Sequence, residues 1–177
     1  RNIPFTNFHY GGTIKFISSQ LEQYSSFGVA ADLGIMYVHE DWDLQITGVA
    51  RNIGTQLTPY DIDLEPLPFE IILGASQILE RIPIRWHFTL ENMQRWDLAF
   101  SNPDRETTDL EGNVTTENIN FIDEAFRHVI LGIELFPQSG FNIRFGYNFR
   151  RAEELRIIDT RAFSGLSAGF GIKLNKV

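Results

Sequence analysis

The stretch that decides the fold runs from Phe141 to Arg150 and reads FNIRFGYNFR. Aromatic and aliphatic residues occupy every second position, and Asn, Arg and Gly occupy the positions between them. Successive side chains of a β-strand point to opposite faces, whereas a helix would spread these apolar residues around its whole circumference. The stretch therefore predicts a strand with one apolar and one polar face. Its length is close to the roughly 9–11 residues of a tilted strand that crosses a bilayer.

The same alternation recurs along the rest of the chain. It is clear at 129–135 and 162–174, and less clean at 29–37, 42–47, 71–75 and 84–90. It is weaker at 13–21, where the apolar residues fit neither register throughout. Together these segments predict about eight strands, with no helix beyond a short turn inside the loops.

The connections between these segments have two lengths. Short ones lie near 39–41, 80–83 and 137–140, and long ones lie at 54–68, 94–126 and 151–160. From the second strand onward the two lengths alternate strictly, which places tight turns at one end of the sheet and long loops at the other. Outer-membrane barrels have this layout, whereas Greek-key sandwiches scatter their long connections. We therefore predict one all-β domain over 1–177, an antiparallel transmembrane β-barrel of the outer-membrane type.

Composition narrows the classes further. The chain has 177 residues, no cysteine and a net charge of −8, which argues against a nucleic-acid partner and removes cysteine chemistry. No apolar run reaches the roughly 18–20 residues of a transmembrane helix. The sequence begins at Arg1 without an initiator Met or a signal-peptide pattern, so we expect a processed chain or a fragment.

The alternation assigns residues to two faces of the predicted barrel. Charged residues of both signs fall in the register predicted to face the lumen, where acids and bases can pair across strands: Asp32, Arg51, Arg85, Glu91, Glu134, Arg144, Arg150 and Lys173. Aromatic and aliphatic residues fall in the register predicted to face lipid, with aromatic residues toward both ends of the strands: Tyr37, Trp42, Trp86, Leu131, Phe141, Phe145 and Phe149.

The loops 54–68 and 94–126 are too long to be simple hairpin connections, and loops of this length are usually functional or disordered. We predict that they form a partner-docking surface outside the membrane; a solvated shield over the barrel mouth is the alternative. The candidate contact residues are aromatic and acidic: Tyr60, Asp61, Asp63, Trp96, Asp97, Asp104, Glu106 and Asp109.

Catalytic and cofactor signatures are weak in this sequence. His9, His39, His87 and His128 lie in different segments and lack the spacing of metal ligands. No Gly-rich phosphate loop precedes a predicted helix, and no nucleophile–base arrangement stands out. We therefore expect no enzymatic activity, no cofactor and no metal site.

Several blocks of the sequence resemble the PorQ family. They are ARNIG at 50–54, LPFE at 67–70, QRWD at 94–97, GFNIRFGYNFRR at 140–151 and GLSAGFGIKL at 165–174. This family belongs to the type IX secretion system of Bacteroidota, and its barrels are related to those of the FadL and PorV type. The resemblance covers nearly the whole chain, from about Gly11 to the end, although none of the blocks is a catalytic signature.

The resemblance implies a non-enzymatic outer-membrane component that holds PorZ at the cell surface, within the attachment complex that includes PorU and PorV. It also implies contact with the lipid bilayer and with lipopolysaccharide. Members are usually longer than this chain, so it would form the C-terminal half of a barrel of about fourteen strands.

Two other functions remain open at this point. A FadL-like transporter of hydrophobic solutes would need an apolar path through the barrel, whereas the predicted lumen register carries Gly, Asn, Arg and Glu. A soluble β-sandwich binding module would explain the aromatic residues as an ordinary core between two sheets.

Overall fold

The computed structural model of the chain describes residues 6–60, 63–99, 107–108, 114–115, 120–155 and 163–173. Eight strands form one antiparallel sheet: β1 Phe8–Leu21, β2 Tyr24–His39, β3 Leu44–Thr58, β4 Glu70–Ile78, β5 Ile84–Leu90, β8 Val129–Leu135, β9 Phe141–Asn148 and β10 Leu166–Ile172. A second sheet has two short strands, β6 Thr107–Thr108 and β7 Val114–Thr115. Two short helices complete the described chain, α1 Phe121–Arg127 and α2 Phe149–Glu154. The predicted all-β, antiparallel fold is confirmed.

The large sheet is a simple meander, in which each strand pairs with the next long strand along the chain. β1 and β10 are its two edges, and within the described ranges they do not pair with each other. The sheet is therefore open at these edges.

The two ends of the sheet differ in the way predicted. Residues 40–43, 79–83 and 136–140 connect strands at one end, which we call the short-turn end. Residues 59–69, 91–128 and 149–165 connect them at the other, the long-loop end. The hairpin between β1 and β2 also turns at the long-loop end, through two residues only, with Glu22 at a positive φ of 53°.

Several strand boundaries differ from the sequence prediction: β2 begins at Tyr24 rather than at residue 29, and β10 begins at Leu166 rather than at residue 162. β1 begins at Phe8 rather than at residue 13, and β3 begins at Leu44 rather than at Trp42. β3 also extends to Thr58 because it contains bulges, one of them around Asn52 at a φ of 55°, so the loop predicted at 54–68 is shorter.

The prediction that no helix forms was wrong at two places. The strand predicted to end at Arg150 ends at Asn148, because α2 begins at Phe149. The side-chain Oδ1 of Asn148 accepts a hydrogen bond from the backbone N–H of Arg151 at 2.9 Å, which caps α2. Helix α1 occupies the end of the loop predicted at 94–126.

All charged residues of the eight strands lie on one face of the sheet, which we call the charged face. They are Lys15, Asp32, Arg51, Glu70, Arg85, Glu134 and Arg144. On the opposite, apolar face, residues of neighbouring strands are paired side by side and form continuous rows. One of its rows runs through Leu166, Tyr147, Leu131, Phe88, Ala75, Ile46, Tyr37 and Phe8.

The sheet curves toward its charged face. Asn52 of β3 and Asn148 of β9 line the same cavity, of about 440 Å³, together with Glu70 and Glu91. Four strand spacings separate β3 from β9, which would be about 19 Å in a flat sheet. Residues that far apart share a cavity only if the sheet curls and makes the charged face concave.

No second layer covers the apolar face within the described part of the chain. Ala30 and Leu98 are the only buried hydrophobic residues there, whereas Phe145 is 46% exposed and Ile133 is 48% exposed. In the same part of the chain, no helix is both long and apolar enough to cross a membrane.

Candidate docking site at the long-loop end

Trp96 organises the part of the long-loop end that lies over β5 and β8. Its indole stacks on the ring of His128 at 4.8 Å and on the ring of Phe121, the first residue of α1, at 5.5 Å. His128 is only 1% exposed. The chain before α1 and the chain after it are therefore joined through one aromatic stack.

The backbone fixes His128 below this stack. Its Nδ1 lies 2.8 Å from the carbonyl oxygen of Glu91, and because a carbonyl only accepts, Nδ1 carries the hydrogen and donates it. The backbone N–H of Glu91 in turn donates to the carbonyl oxygen of His128 at 2.9 Å. These two hydrogen bonds continue the pairing of β5 and β8 by one residue and anchor Trp96 to the sheet.

A carboxylate holds the segment after Trp96 against α1. Glu124 accepts hydrogen bonds from the backbone N–H of Leu98 at 2.5 Å and of Ala99 at 3.1 Å. Glu124 is buried, and so is the side chain of Leu98. The N–H of Asn120 donates to the Asp123 carboxylate at 3.4 Å, an interaction that helps to start the helix. The loop is therefore an ordered surface at 92–99 and 120–128.

These contacts leave an open pocket of about 390 Å³ beside the aromatic stack, which we call the Trp96 pocket. Its lining residues are Trp96, Asp97, Ala99, Asn120, Phe121 and Glu124. Trp96 is 45% exposed and Phe121 is 72% exposed, so part of each residue borders the open pocket.

Helix α2 forms a second ordered part of the long-loop end. Asn148, which caps it, also donates from Nδ2 to Oε1 of Glu91 at 3.2 Å. Phe149 packs on Phe126 of α1 at 5.1 Å and on Tyr147 at 4.9 Å. Gly165, at a φ of +85°, lies so close to α2 that an added Cβ would be 2.9 Å from the Cβ of Ala152. Helix α2 thus borders the mouth of the concave, charged face, and α1 packs against α2.

Two groups of ion pairs line the charged face. Near the short-turn end, buried Glu134 lies 3.4 Å from Arg85 Nη1, 3.1 Å from Arg144 Nε and 3.9 Å from His87 Nε2. Nearer the long-loop end, Lys15 Nζ lies 2.6 Å from Asp32 Oδ2, and Arg51 lies 3.4 Å from Glu70. Acids and bases therefore neutralise one another across neighbouring strands.

The residues predicted to face a lumen largely meet on the charged face. Asp32, Arg51, Arg85, Glu134 and Arg144 lie there within strands. Glu91 directly follows β5 and lines the 440 Å³ cavity. The strand position predicted for Arg150 was wrong: it lies in α2, lines the same cavity and pairs with Glu154 at 2.7 Å.

The residues predicted to face lipid divide in a similar way. Tyr37, Trp86, Leu131, Phe141 and Phe145 lie in strands on the apolar face. The strand positions predicted for the other two were wrong. Trp42 lies in the turn before β3 and stacks on His39 at 4.7 Å, and Phe149 begins α2. That lipid covers this face stays a prediction.

The predicted partner-binding residues are only partly brought together. Trp96 and Asp97 share the Trp96 pocket. Tyr60 and Asp63 lie in the loop between β3 and β4, and no ring contact or ion pair within the described ranges joins them to that pocket. Asp61, Asp104, Glu106 and Asp109 fall outside the described residues.

Sequence reasoning missed Phe121, Glu124 and His128 as members of this site. The only local signal was Asn120 followed three residues later by Asp123, a pattern typical of a helix start. Within the described ranges, no group of His, Asp and Glu is arranged to hold a metal ion.

Comparison with protein-family models, with characterised proteins and with solved structures gave no match.

Proposed function

We propose that this chain is part of an outer-membrane β-barrel whose apolar face contacts lipid and whose charged face lines the interior. The observation that carries the proposal is the segregation of charge: every charged residue of the eight strands lies on the concave face, and none lies on the apolar face. Barrel strands in a membrane alternate between an apolar outside and a polar inside in this way.

Strand length supports this proposal. Hydrogen bonds beyond the strand ends extend the pairing of β5 and β8 to residues 83–91 and 128–136. Similar bonds extend the pairing of β9 and β10 to residues 140–148 and 165–173. The shortest strands therefore have paired segments within the roughly 9–11 residues needed to cross a bilayer at a tilt.

The open edges of the sheet support a larger barrel. Lipid does not tolerate unpaired strand edges, because their N–H and C=O groups would have no partner in hydrocarbon. β1 and β10 would therefore pair with further strands, and the resemblance to the PorQ family implies that the chain is the C-terminal half of a barrel of about fourteen strands.

We further propose that the barrel is a non-enzymatic component of the type IX secretion system and holds PorZ at the cell surface, within the complex that includes PorU and PorV. The support is the resemblance of several sequence blocks to the PorQ family, together with an ordered loop surface that exposes aromatic side chains. The alternative of a FadL-like transporter for hydrophobic solutes gains no support, because ion pairs line the concave face. A sandwich would need a second large sheet, and the described residues form only one.

Shortening the long loop by deleting 101–119 tests the partner-holding role. We expect the barrel to stay in the outer membrane and PorZ to appear in the culture medium, because the deletion removes the middle of the docking loop, including β6 and β7, and leaves the eight strands of the large sheet untouched. A matched control shortens a different long connection, the one between α2 and β10, by deleting 156–160. Undiminished retention of PorZ after deletion of 101–119 would remove this loop from the interface.

A further inference from the structure

We propose that the Trp96 pocket binds an arginine or lysine side chain from the surface of a partner protein. The inference deepens the proposed function. It rests on one part of that proposal, that the long-loop end is the side that meets partner proteins. It follows from the shape of the pocket, its exposed aromatic faces and its charge.

The shape is that of a site for one long side chain. The pocket has a volume of about 390 Å³ and opens beside the stacked rings of Trp96 and Phe121. His128 stacks on the Trp96 indole, and Glu124 fixes the following backbone. The pocket walls are therefore held in place before a ligand arrives, which lowers the entropic cost of binding.

The exposed aromatic surface points to a ligand rather than to a structural core. Phe121 is 72% exposed and its neighbour Ile122 is 65% exposed, although both begin a helix that is anchored to the sheet. Exposed aromatic residues that rim a pocket and are surrounded by polar groups are typical of interaction sites, and Trp is enriched among residues that dominate binding energy.

The charge of the pocket selects a cation. Its two ionisable residues, Asp97 and Glu124, are both acidic, and Asp123 lies next to Glu124 on α1. No salt bridge within the described ranges engages Asp97 or Glu124. Arg95 is near, but its Nε donates to the backbone oxygen of Asp97 and leaves the carboxylate available. A guanidinium or ammonium group would meet the exposed parts of the Phe121 and Trp96 rings and the Asp97 carboxylate together.

Tryptophan fluorescence of the full chain in detergent tests this inference. The chain has three tryptophans, so Trp42→Phe with Trp86→Phe leaves Trp96 as the reporter. The probe is the peptide acetyl-Gly-Arg-Gly-amide, and the comparison peptide carries neutral citrulline in place of arginine. We expect a saturable change in Trp96 emission with the arginine peptide and at least about fivefold weaker binding of the citrulline peptide.

Variants separate the pocket from general charge attraction. Asp97→Asn and Phe121→Leu should each weaken binding of the arginine peptide by about fivefold, because each removes one contact to the cation. Glu80→Gln is the matched control, since it removes an exposed acid from the turn between β4 and β5 at the short-turn end. It should leave binding unchanged.

Three results would overturn the inference: no saturable response to the arginine peptide, equal binding of both peptides, or equal weakening by Glu80→Gln. A change in Trp96 emission on Arg105→Gln without peptide, together with no peptide response, would show that the chain's own loop fills the pocket. Heat-dependent migration of the same samples on detergent gels reports barrel assembly independently. Peptide binding without such migration would contradict the membrane proposal and leave this inference standing.

Discussion

Replacing Phe145 by arginine distinguishes a lipid-covered apolar face from one that faces water. Phe145 lies in the middle of β9, with Ile133 of β8 and Ala168 of β10 as its neighbours in register. It is 46% exposed in the sheet itself, so the surroundings of the sheet decide the effect of the substitution.

The expected magnitude depends on the medium that covers this face. An arginine near the middle of the lipid face of a barrel costs about 2–4 kcal/mol, which lowers the folded-to-unfolded ratio by about 30- to 700-fold. If water covered the face, the arginine would be hydrated, and only the half-buried part of the phenylalanine contact would be lost, about 1 kcal/mol. We expect the larger effect.

The assay folds the full-length barrel that contains this chain into lipid vesicles, since the chain alone would leave two strand edges unpaired, and it measures the folded fraction by heat-dependent gel migration and by urea titration. Ala168→Arg and Ser167→Arg form a matched pair, because both residues are small, exposed and adjacent in β10 but point to opposite faces. Ala168→Arg should impair folding as Phe145→Arg does, whereas Ser167→Arg should be tolerated. Folding of Phe145→Arg equal to that of the parent, or equal losses in the matched pair, would refute the assignment of the faces.

Three further substitutions test other parts of the account. Glu134→Gln should destabilise the fold by about 2 kcal/mol in urea titration, because it leaves two guanidinium groups facing each other beside a buried site. Glu70→Gln, which removes the more exposed pair with Arg51, should cost less than about 1 kcal/mol. Equal effects of the two substitutions would contradict this prediction. Gly54→Ala should prevent stable pairing of β2 and β3, since its Cβ would meet the Val29 carbonyl and lie 2.6 Å from Ala30 Cα. Gly169→Ala is the control: its added Cβ would have no neighbouring atom within 4 Å, so it should fold like the parent in the same urea assay. Glu124→Ala should release the segment after Trp96 and make Arg127, which is only 9% exposed in the parent, accessible to trypsin. Asp97→Ala is the control. An unchanged cleavage pattern in Glu124→Ala would show that this carboxylate does not hold the loop.

The faces of the strands were predictable because their alternation is a local property. In β9, each apolar residue from Phe141 to Tyr147 lies on the apolar face, as the period of two requires. β1 was harder to recognise, since Ile17 carries an apolar side chain in the register of the charged face and Gly11 and Gly12 weaken its start. Pairing with β2 along its whole length, a non-local interaction, compensates for that weak local signal.

The helices and the Trp96 pocket could be predicted less well for two different reasons. The alternation continues through Phe149 and Arg150, so period alone extends β9 too far, and only Asn148 marked the helix start. The pocket joins Trp96 to Phe121 and Glu124, which are more than twenty residues away. Such contacts depend on how β5 and β8 pair, and a single sequence does not specify them.

Quenching of Trp86 by lipids tests the central claim, contact between the apolar face and lipid, most directly. Trp86 lies on that face in β5, and its indole Nε1 donates to Gln77 at 3.2 Å on the neighbouring strand. With Trp42→Phe and Trp96→Phe, it is the sole fluorophore. In vesicles whose acyl chains carry bromine, we expect strong quenching of Trp86 and weak quenching by aqueous acrylamide. Strong quenching by acrylamide with none by the brominated lipids would contradict the membrane assignment.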